Sequence, residues 1–306
     1  MKTILLTGRN GQVGHELASA LVPLGKVIAL GRAELDLAQP DTITARIRDI
    51  RPDIIVNAAA YTAVDDAEAE PDLAMRINAD APALMAEEAR RSGALLVHYS
   101  TDYVFDGRKN GTYTEDDAPA PLNAYGRSKL AGEQRIAAIA CRHLIFRTSW
   151  LYADRGTNFL LTMLQLARQR QALRVVADQI GSPTWARALA AATVTALGAP
   201  DLSDRLGIYH LSADGHASRY AFAEEIIRLA IETSGTSTGW ATLAPCTTDE
   251  FPRPAARPLN AAAAKHKFQR AFGTAMPHWT TQLRDCMRTL RWDWLHQPAE
   301  VRQPPV

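Results

Sequence analysis

The run LLTGRNGQVGHEL, residues 5–17, decides the fold. A short apolar strand runs into a turn carrying Gly8, Gly11 and Gly14, and a helical pattern follows at once. Glycine keeps such a turn tight and lets the backbone approach a pyrophosphate. The unpaired N–H groups at the next helix's N-terminus would face that group. The spacing is G-x-x-G-x-x-G, not the commoner G-x-G-x-x-G, so the strand–turn–helix setting carries the argument for a dinucleotide site more than the glycines do.

Outward from this turn, short apolar runs alternate with longer helical patterns. The expected strands are Thr3–Thr7, Val27–Leu30, Ile54–Asn57, Leu95–Tyr99, Leu144–Arg147, Arg174–Val176 and Ile208–Leu211. The expected helical segments include Gly11–Leu24, Asp72–Ser92, Tyr125–Cys141 and Asn158–Arg170. Continuous apolar strands separated by helices predict an α/β fold: a Rossmann-type, doubly wound parallel sheet. The alternation loosens after Trp150. Residues 1–148 are therefore read as the NADP(H)-binding core, completed by elements within about 172–211. Residues 149–171 and 212–306 are read mainly as a smaller C-terminal substrate-binding lobe, with a frayed tail at QPAEVRQPPV (297–306).

The tip of the second strand reads VIALGRAELDLAQ (27–39) and carries no carboxylate where one would bind ribose hydroxyls. Arg32 there would pair with a 2′-phosphate, which favours NADPH and leaves NADH possible. Glu34 remains an alternative ribose ligand, and Asp36 and Leu37 are placed to touch the adenine edge. After the third strand, Ala58, Ala59 and Ala60 leave room for a flat group against the backbone, with Thr62 and Val64 lining the same crevice.

In PLNAYGRSKLAGEQ (121–134), Tyr125 and Lys129 share one helical face. A free tyrosine has a pKa near ~10, and a neighbouring ammonium lowers it by about 1–3 units. Y-x-x-x-K is thus a sensible proton-transfer unit, though a common pattern. In VHYSTDYVFDG (97–107), Ser100 and Thr101 put hydroxyls at a strand tip, where ligands of such folds bind. The combination of glycine turn, strand-tip hydroxyl and Y-x-x-x-K makes Tyr125 and Lys129 catalytic.

The remaining composition is neutral in both senses. A net charge of +1 leaves no footprint for nucleic acid. No uncharged run approaches the roughly 18 residues of a membrane span, and the apolar run within Met1–Gly8 is too short for a secretion signal. The three scattered cysteines suggest a reducing, cytoplasmic setting.

These segments, with GRNGQVG, RPDIIVNAAAYTAVDDAE, LIFRTSWLYA, DQIGSPT and ARPLN in order over nearly the whole chain, resemble the extended short-chain dehydrogenase/reductases. Within them the resemblance is to the dTDP-4-dehydrorhamnose reductase branch. It implies reduction of the C4 ketone of a dTDP-linked 4-keto-6-deoxy sugar by NADPH. Tyr125 would protonate the alkoxide, Lys129 would hold the nicotinamide ribose and lower the tyrosine pKa, and Thr101 would tune the tyrosine. Gln12 and Val13, with Gly11, would meet the pyrophosphate. Trp150 would pack on the sugar, Asp102 and Tyr103 would position it, and Asn158, Gln179 and Arg257 are further pocket candidates, Arg257 for the diphosphate. Some relatives resemble metal-bridged dimers held by glutamates. Here Arg187 stands where an acidic residue would help Glu16, so no metal is expected, and monomer and homodimer both stay open. NAAAAKHKF (260–268) also departs from the family pattern. Two other readings remain: a sugar-nucleotide epimerase, and a non-catalytic NADP-binding subunit like the regulatory subunit of methionine adenosyltransferase. Intact Thr101, Tyr125, Lys129 and glycines favour the enzyme.

Overall fold

The computed structural model describes residues 1–292, so the tail expected over 297–306 lies outside the described residues. Its centre is a sheet of strands β1 (Lys2–Thr7), β2 (Gly25–Leu30), β3 (Ile54–Asn57), β4 (Leu95–Thr101), β5 (His143–Thr148) and β6 (Gly207–His210). They lie in the order β2-β1-β3-β4-β5-β6, every neighbouring pair parallel. The order reverses between β1 and β3, and a crevice opens there at the strands' C-terminal ends, where α/β sheets bind ligands.

Successive side chains along a strand face opposite ways, and the core divides accordingly. Ile4, Leu6, Val56, Val97 and Phe146 bury on one face with helices α1 (Gln12–Ala20) and α6 (Ala186–Leu197). Leu5, Ile55, Leu96 and Ile145 bury on the other, against Ile43 and Ile47 of α2 (Pro40–Ile50), Met85 of α3 (Ala81–Ser92) and Ile136 of α4 (Ala124–Ile139). The expected helices over 11–24, 72–92, 125–141 and 158–170 all form. The first ends at Ala20, with Val22–Leu24 following as a 3-10 turn, and in the second Arg76–Asp80 winds as a π-helix.

Beyond Thr148 a separate apolar cluster gathers Leu160 and Leu164 of α5 (Phe159–Gln169), Phe222 and Ile226 of α7 (Arg219–Ser234), and Trp279 and Leu283 of α8 (Trp279–Thr289). The strand expected over Arg174–Val176, among the elements completing the sheet, forms as Ala172–Val176 and belongs here instead. It pairs in parallel with Thr242–Cys246, and Leu173 and Val175 bury in this cluster. The reason is local: α5 packs on α7, and the strand leaving α5 is carried with it, away from the sheet edge that β6 occupies.

One buried ion pair fastens the helix of Tyr125 to the sheet. Arg147 on β5 makes a forked pair with Glu133 on α4, Nε–Oε1 3.0 Å and Nη2–Oε2 2.7 Å, with both side chains at most 4% exposed. Such a pair is costly to desolvate but far costlier to break by halves. Glu133→Ala should therefore destabilise the protein by about 3–5 kcal/mol, and Glu133→Leu with Arg147→Met should recover most of that loss. Urea unfolding of the wild type and both variants measures it; equal losses in the two variants would contradict this account.

Candidate active site

The glycine turn is built by close contact between backbones. Gly8 has φ +74°, and a Cβ there would lie 2.8 Å from the Ala58 carbonyl and the Ala59 nitrogen. A Cβ on Gly14 would lie 2.0 Å from the Gly8 oxygen, and the Gly11 N–H closes the turn by donating to that oxygen at 2.9 Å. Side chains at 8 or 14 would push β1, β3 and α1 apart. Past this turn lies a cleft of about 500 Å³ lined by Gly8, Gly11, Gln12, Val13, Arg32, Asp36, Leu37, Ala58, Ala59, Ala60 and Thr62. Every residue expected to touch the cofactor is on its walls except Gly14, Tyr125 and Lys129. Gly14 serves the packing of α1. Val64, expected beside Thr62, is not on the walls. The Gln12 Oε1 is buried there without a partner. A cradle that a Cβ would fill, an orphaned polar atom and a helix N-terminus together fit a dinucleotide.

At the tip of β2, Glu34 is already engaged. It accepts from the Gly31 N–H at 3.0 Å and pairs with Arg9 at 2.6 Å. That leaves Arg32, 78% exposed and only loosely paired with Asp36 at 3.6 Å, as the charged group free to turn toward the cleft.

Tyr125 and Lys129 sit where α4 begins. Asn123 caps the helix, its Oδ1 accepting from the Gly126 N–H at 2.7 Å, while its Nδ2 donates to the Ala256 oxygen at 2.7 Å. Asn78, on the π-helical turn, braces it from the side. Its amide clasps the Tyr61 backbone at 2.9 and 3.0 Å and donates to Ser128 Oγ at 2.9 Å. A Cβ on Gly132 would lie 2.2 Å from the Asn78 oxygen, so α4 can approach this closely only with glycine there. Tyr61 lines the cleft, and Tyr61 and Tyr125 both pack against one small cluster of alanines.

The electrostatics differ from the expectation that Lys129 acidifies Tyr125. Burial pushes the Tyr125 phenol upward, opposed by a hydrogen bond with Thr101 and reinforced by Asp102 and Tyr103. Lys129 is turned the other way. Its buried Nζ donates to the Tyr99 oxygen at 2.5 Å and lies 3.2 Å from His98 Nε2. Burial lowers the Lys129 pKa to about 8, with Glu133 opposing, and holds His98 well below the usual histidine range. The physical reason is the dryness of the strand end: an N–H donor there seeks the nearest carbonyl.

Asp102 is buried rather than presented to a ligand. Thr101 Oγ1 donates to it at 3.1 Å and Ser149 Oγ at 2.6 Å, and Ser149 in turn accepts from the Ser182 N–H at 3.3 Å. Burial raises its pKa to about 6 against these bonds and the Arg219 charge. Tyr103 lies edge-on to Tyr125, ring centroids 5.6 Å apart. Trp150 holds a left-handed φ of +46°, and its indole is engaged by the Arg219 guanidinium 3.6 Å from its centroid and by the backbone of Gly181. Arg257 pairs with Asp65 at 3.0 Å, with its guanidinium 5.9 Å from the Tyr103 ring. Asn158 caps α5 and ties down the 153–155 loop, so its polar atoms are spent on structure. Gln179 bonds Thr248. Glu16 is taken by Arg187 at 2.8 Å, and among the described residues no group of three metal-ligating side chains occurs. Asn78, Asn123, His98, Ser149 and Arg219 escape the sequence reading. Only Asn123, an asparagine directly before a helix, carried a recognisable signal.

Comparison with known proteins places this geometry. A family model described as the RmlD substrate binding domain matches residues 1–292. A dTDP-4-dehydrorhamnose reductase of Burkholderia thailandensis is 44% identical over 94% of this chain and 98% of that protein. The crystal structure of a dTDP-4-dehydrorhamnose reductase from Clostridium acetobutylicum superposes with a TM-score of 0.86 at 36% identity, over 94% of this chain and 98% of the other. The corresponding Bacillus anthracis enzyme, crystallised in complex with NADP, has a TM-score of 0.85 at 36% identity, over 94% and 99%.

The buried Asp102 makes a pH prediction. Its carboxyl binds a proton more tightly folded than unfolded, so between its ordinary pKa and about 6 the native state holds the extra proton. Stability from this group therefore falls as pH rises through that window. Asp102→Asn lacks the titration. Its stability relative to wild type should improve by about 1–3 kcal/mol between about pH 4 and about pH 7. Denaturant titrations at the two pH values measure the gap; one that stays constant or moves the other way would contradict the assignment.

Proposed function

This chain belongs to the RmlD substrate binding domain family, that of the dTDP-4-dehydrorhamnose reductases, and we propose that it reduces the C4 ketone of dTDP-4-dehydro-L-rhamnose to dTDP-L-rhamnose. NADPH, when bound, supplies the hydride. Gly8, Gly11, Gln12 and Val13 would hold its pyrophosphate against the α1 N-terminus, Arg32 its 2′-phosphate, and Ala58–Ala60 with Thr62 its flat faces.

The observation that carries the reading is the placement of Tyr125, edge-on to Tyr103 just past the tip of β4 and packed against the alanine cluster it shares with the cleft-lining Tyr61. A reduction consumes one proton at the carbonyl oxygen. Burial keeps Tyr125 protonated, so it rests as the acid the reaction needs, and its O–H would pass to the developing alkoxide while Thr101 fixes its direction. Lys129 would hold the nicotinamide ribose after leaving the Tyr99 carbonyl. Asp102, through Ser149 and Ser182, would keep Thr101 in register with the segment that leads to Arg219. Tyr103, Trp150 and Arg219 would form the sugar pocket, the amphipathic indole suiting a deoxyhexose. Arg257, shared with Asp65, would meet the diphosphate. The region beyond Thr148 would act as the substrate lobe, built on the Leu160–Phe222–Trp279 cluster.

NADPH oxidation with dTDP-4-dehydro-L-rhamnose tests this. The wild type should turn over, and Tyr125→Phe should lose about 10²–10⁴-fold in kcat while binding NADPH normally. Near-normal turnover by Tyr125→Phe would remove the tyrosine from its role. NADPH binding without any oxidation by the wild type would point instead to a non-catalytic cofactor-binding protein or another keto sugar.

A further inference from the structure

Behind Lys129 lies a chain of buried polar groups that the proposed reaction does not use. Thr7 Oγ1 meets Asn57 Oδ1 at 2.7 Å, Asn57 Nδ2 meets His98 Nδ1 at 3.1 Å, and His98 Nε2 meets Lys129 Nζ at 3.2 Å. Thr7, Asn57, His98 and Lys129 are each at most 1% exposed. They join the ends of β1 and β3 and the middle of β4 to α4, crossing the switch point beneath the cleft.

The direction of this chain can be read from its one fixed donor. The backbone N–H of Ala59 reaches Asn57 Oδ1 at 3.3 Å, and a backbone N–H can only donate. The side chain of Asn57 must therefore turn its oxygen to Ala59 and its NH₂ to His98. His98 then accepts at Nδ1. A neutral imidazole accepting at Nδ1 carries its hydrogen on Nε2, so His98 points an N–H at Lys129. Two donors at 3.2 Å repel, whereas an amine lone pair would accept.

We propose that His98, set by Asn57, is a positioning residue that holds Lys129 as an uncharged amine in the cofactor-free protein on the alkaline side of neutrality, so that binding NADPH there is coupled to uptake of a proton by Lys129. The charged and titratable groups around Lys129 leave this assignment standing. His98 faces it from β4. Glu133, one turn on along α4, is committed to Arg147. Tyr125, one turn before, is held protonated by burial. Burial acts on Lys129 in the same direction as His98 does, lowering its pKa to about 8. A phosphate-bearing dinucleotide in the adjoining cleft brings negative charge and reverses the balance in favour of the ammonium.

The inference rests on the NADPH-reductase reading for its second half and on the cofactor-free protein alone for its first. Nitrogen-15 NMR of the histidine rings tests the first half without cofactor. His98 should be neutral with its hydrogen on Nε2 at about pH 7, and an Nδ1–H or doubly protonated ring would overturn the proposal. Calorimetry of NADPH binding, above about pH 8 and in buffers of different ionisation enthalpy, tests the second. About one proton should be taken up per chain, and binding without uptake would overturn it. Asn57→Asp keeps an oxygen toward Ala59 but gives His98 an acceptor. Its ring should switch to the Nδ1–H form, and proton uptake should fall by at least about half. Unchanged uptake in a folded Asn57→Asp with a switched ring would separate His98 from Lys129 and overturn the coupling. If NADPH fails to bind at all, the reductase reading fails while the ring NMR still decides the state of His98.

Discussion

The architecture hangs on the contact of three stretches of bare backbone. Gly8 lies on the Ala58–Ala59 peptide, and the start of α1 lies on the Gly8 carbonyl through Gly14, with no room for a single methyl at either place. Because that contact forms, β1 and β3 end level with each other and α1 starts directly above their tips. The cleft is then a consequence: its floor is peptide and alanine, and its far wall is the strand tip at Arg32. A turn that admitted side chains would still join a strand to a helix but would leave no surface on which a pyrophosphate could lie close to N–H groups.

The catalytic side of the crevice is fixed by polar rather than apolar constraints. α4 is capped by Asn123, braced by Asn78 and pinned to β5 by Glu133 and Arg147, all buried. Each anchor adds little net stability, yet each would be expensive to leave half-made, which makes the position of Tyr125 sharply defined. The same dryness that sharpens the geometry sets the charge states. It keeps the Tyr125 phenol protonated, raises Asp102 and turns Lys129 Nζ toward the Tyr99 carbonyl. In a reduction these tendencies point one way, toward a site that holds a proton ready to give.

The order of strands and helices was legible because both faces of the sheet are covered, so its strands read as apolar runs and its helices as periodic ones. The cofactor wall was legible for a related reason, since Gly8 and Ala58–Ala60 are small where closeness demands it. Ala172–Val176 was misplaced because an apolar strand does not name its partner; α5 and α7 decide that in three dimensions. The expectation that Lys129 lowers the Tyr125 pKa failed because spacing along a helix does not reveal the nearest carbonyl. His98 and Asn78 gave no signal at all. A histidine within a buried strand and an asparagine within a helix look ordinary until their partners from distant segments are in place.

The central claim is that this crevice delivers hydride to C4 of a dTDP-linked 4-keto-6-deoxy sugar. It is tested most directly with NADPH carrying deuterium at the transferable position of its nicotinamide. NMR of the product should find the deuterium on C4 of the deoxyhexose, about one per molecule. Product formed without the label at C4, or label retained on the nicotinamide while the sugar is converted, would contradict the account.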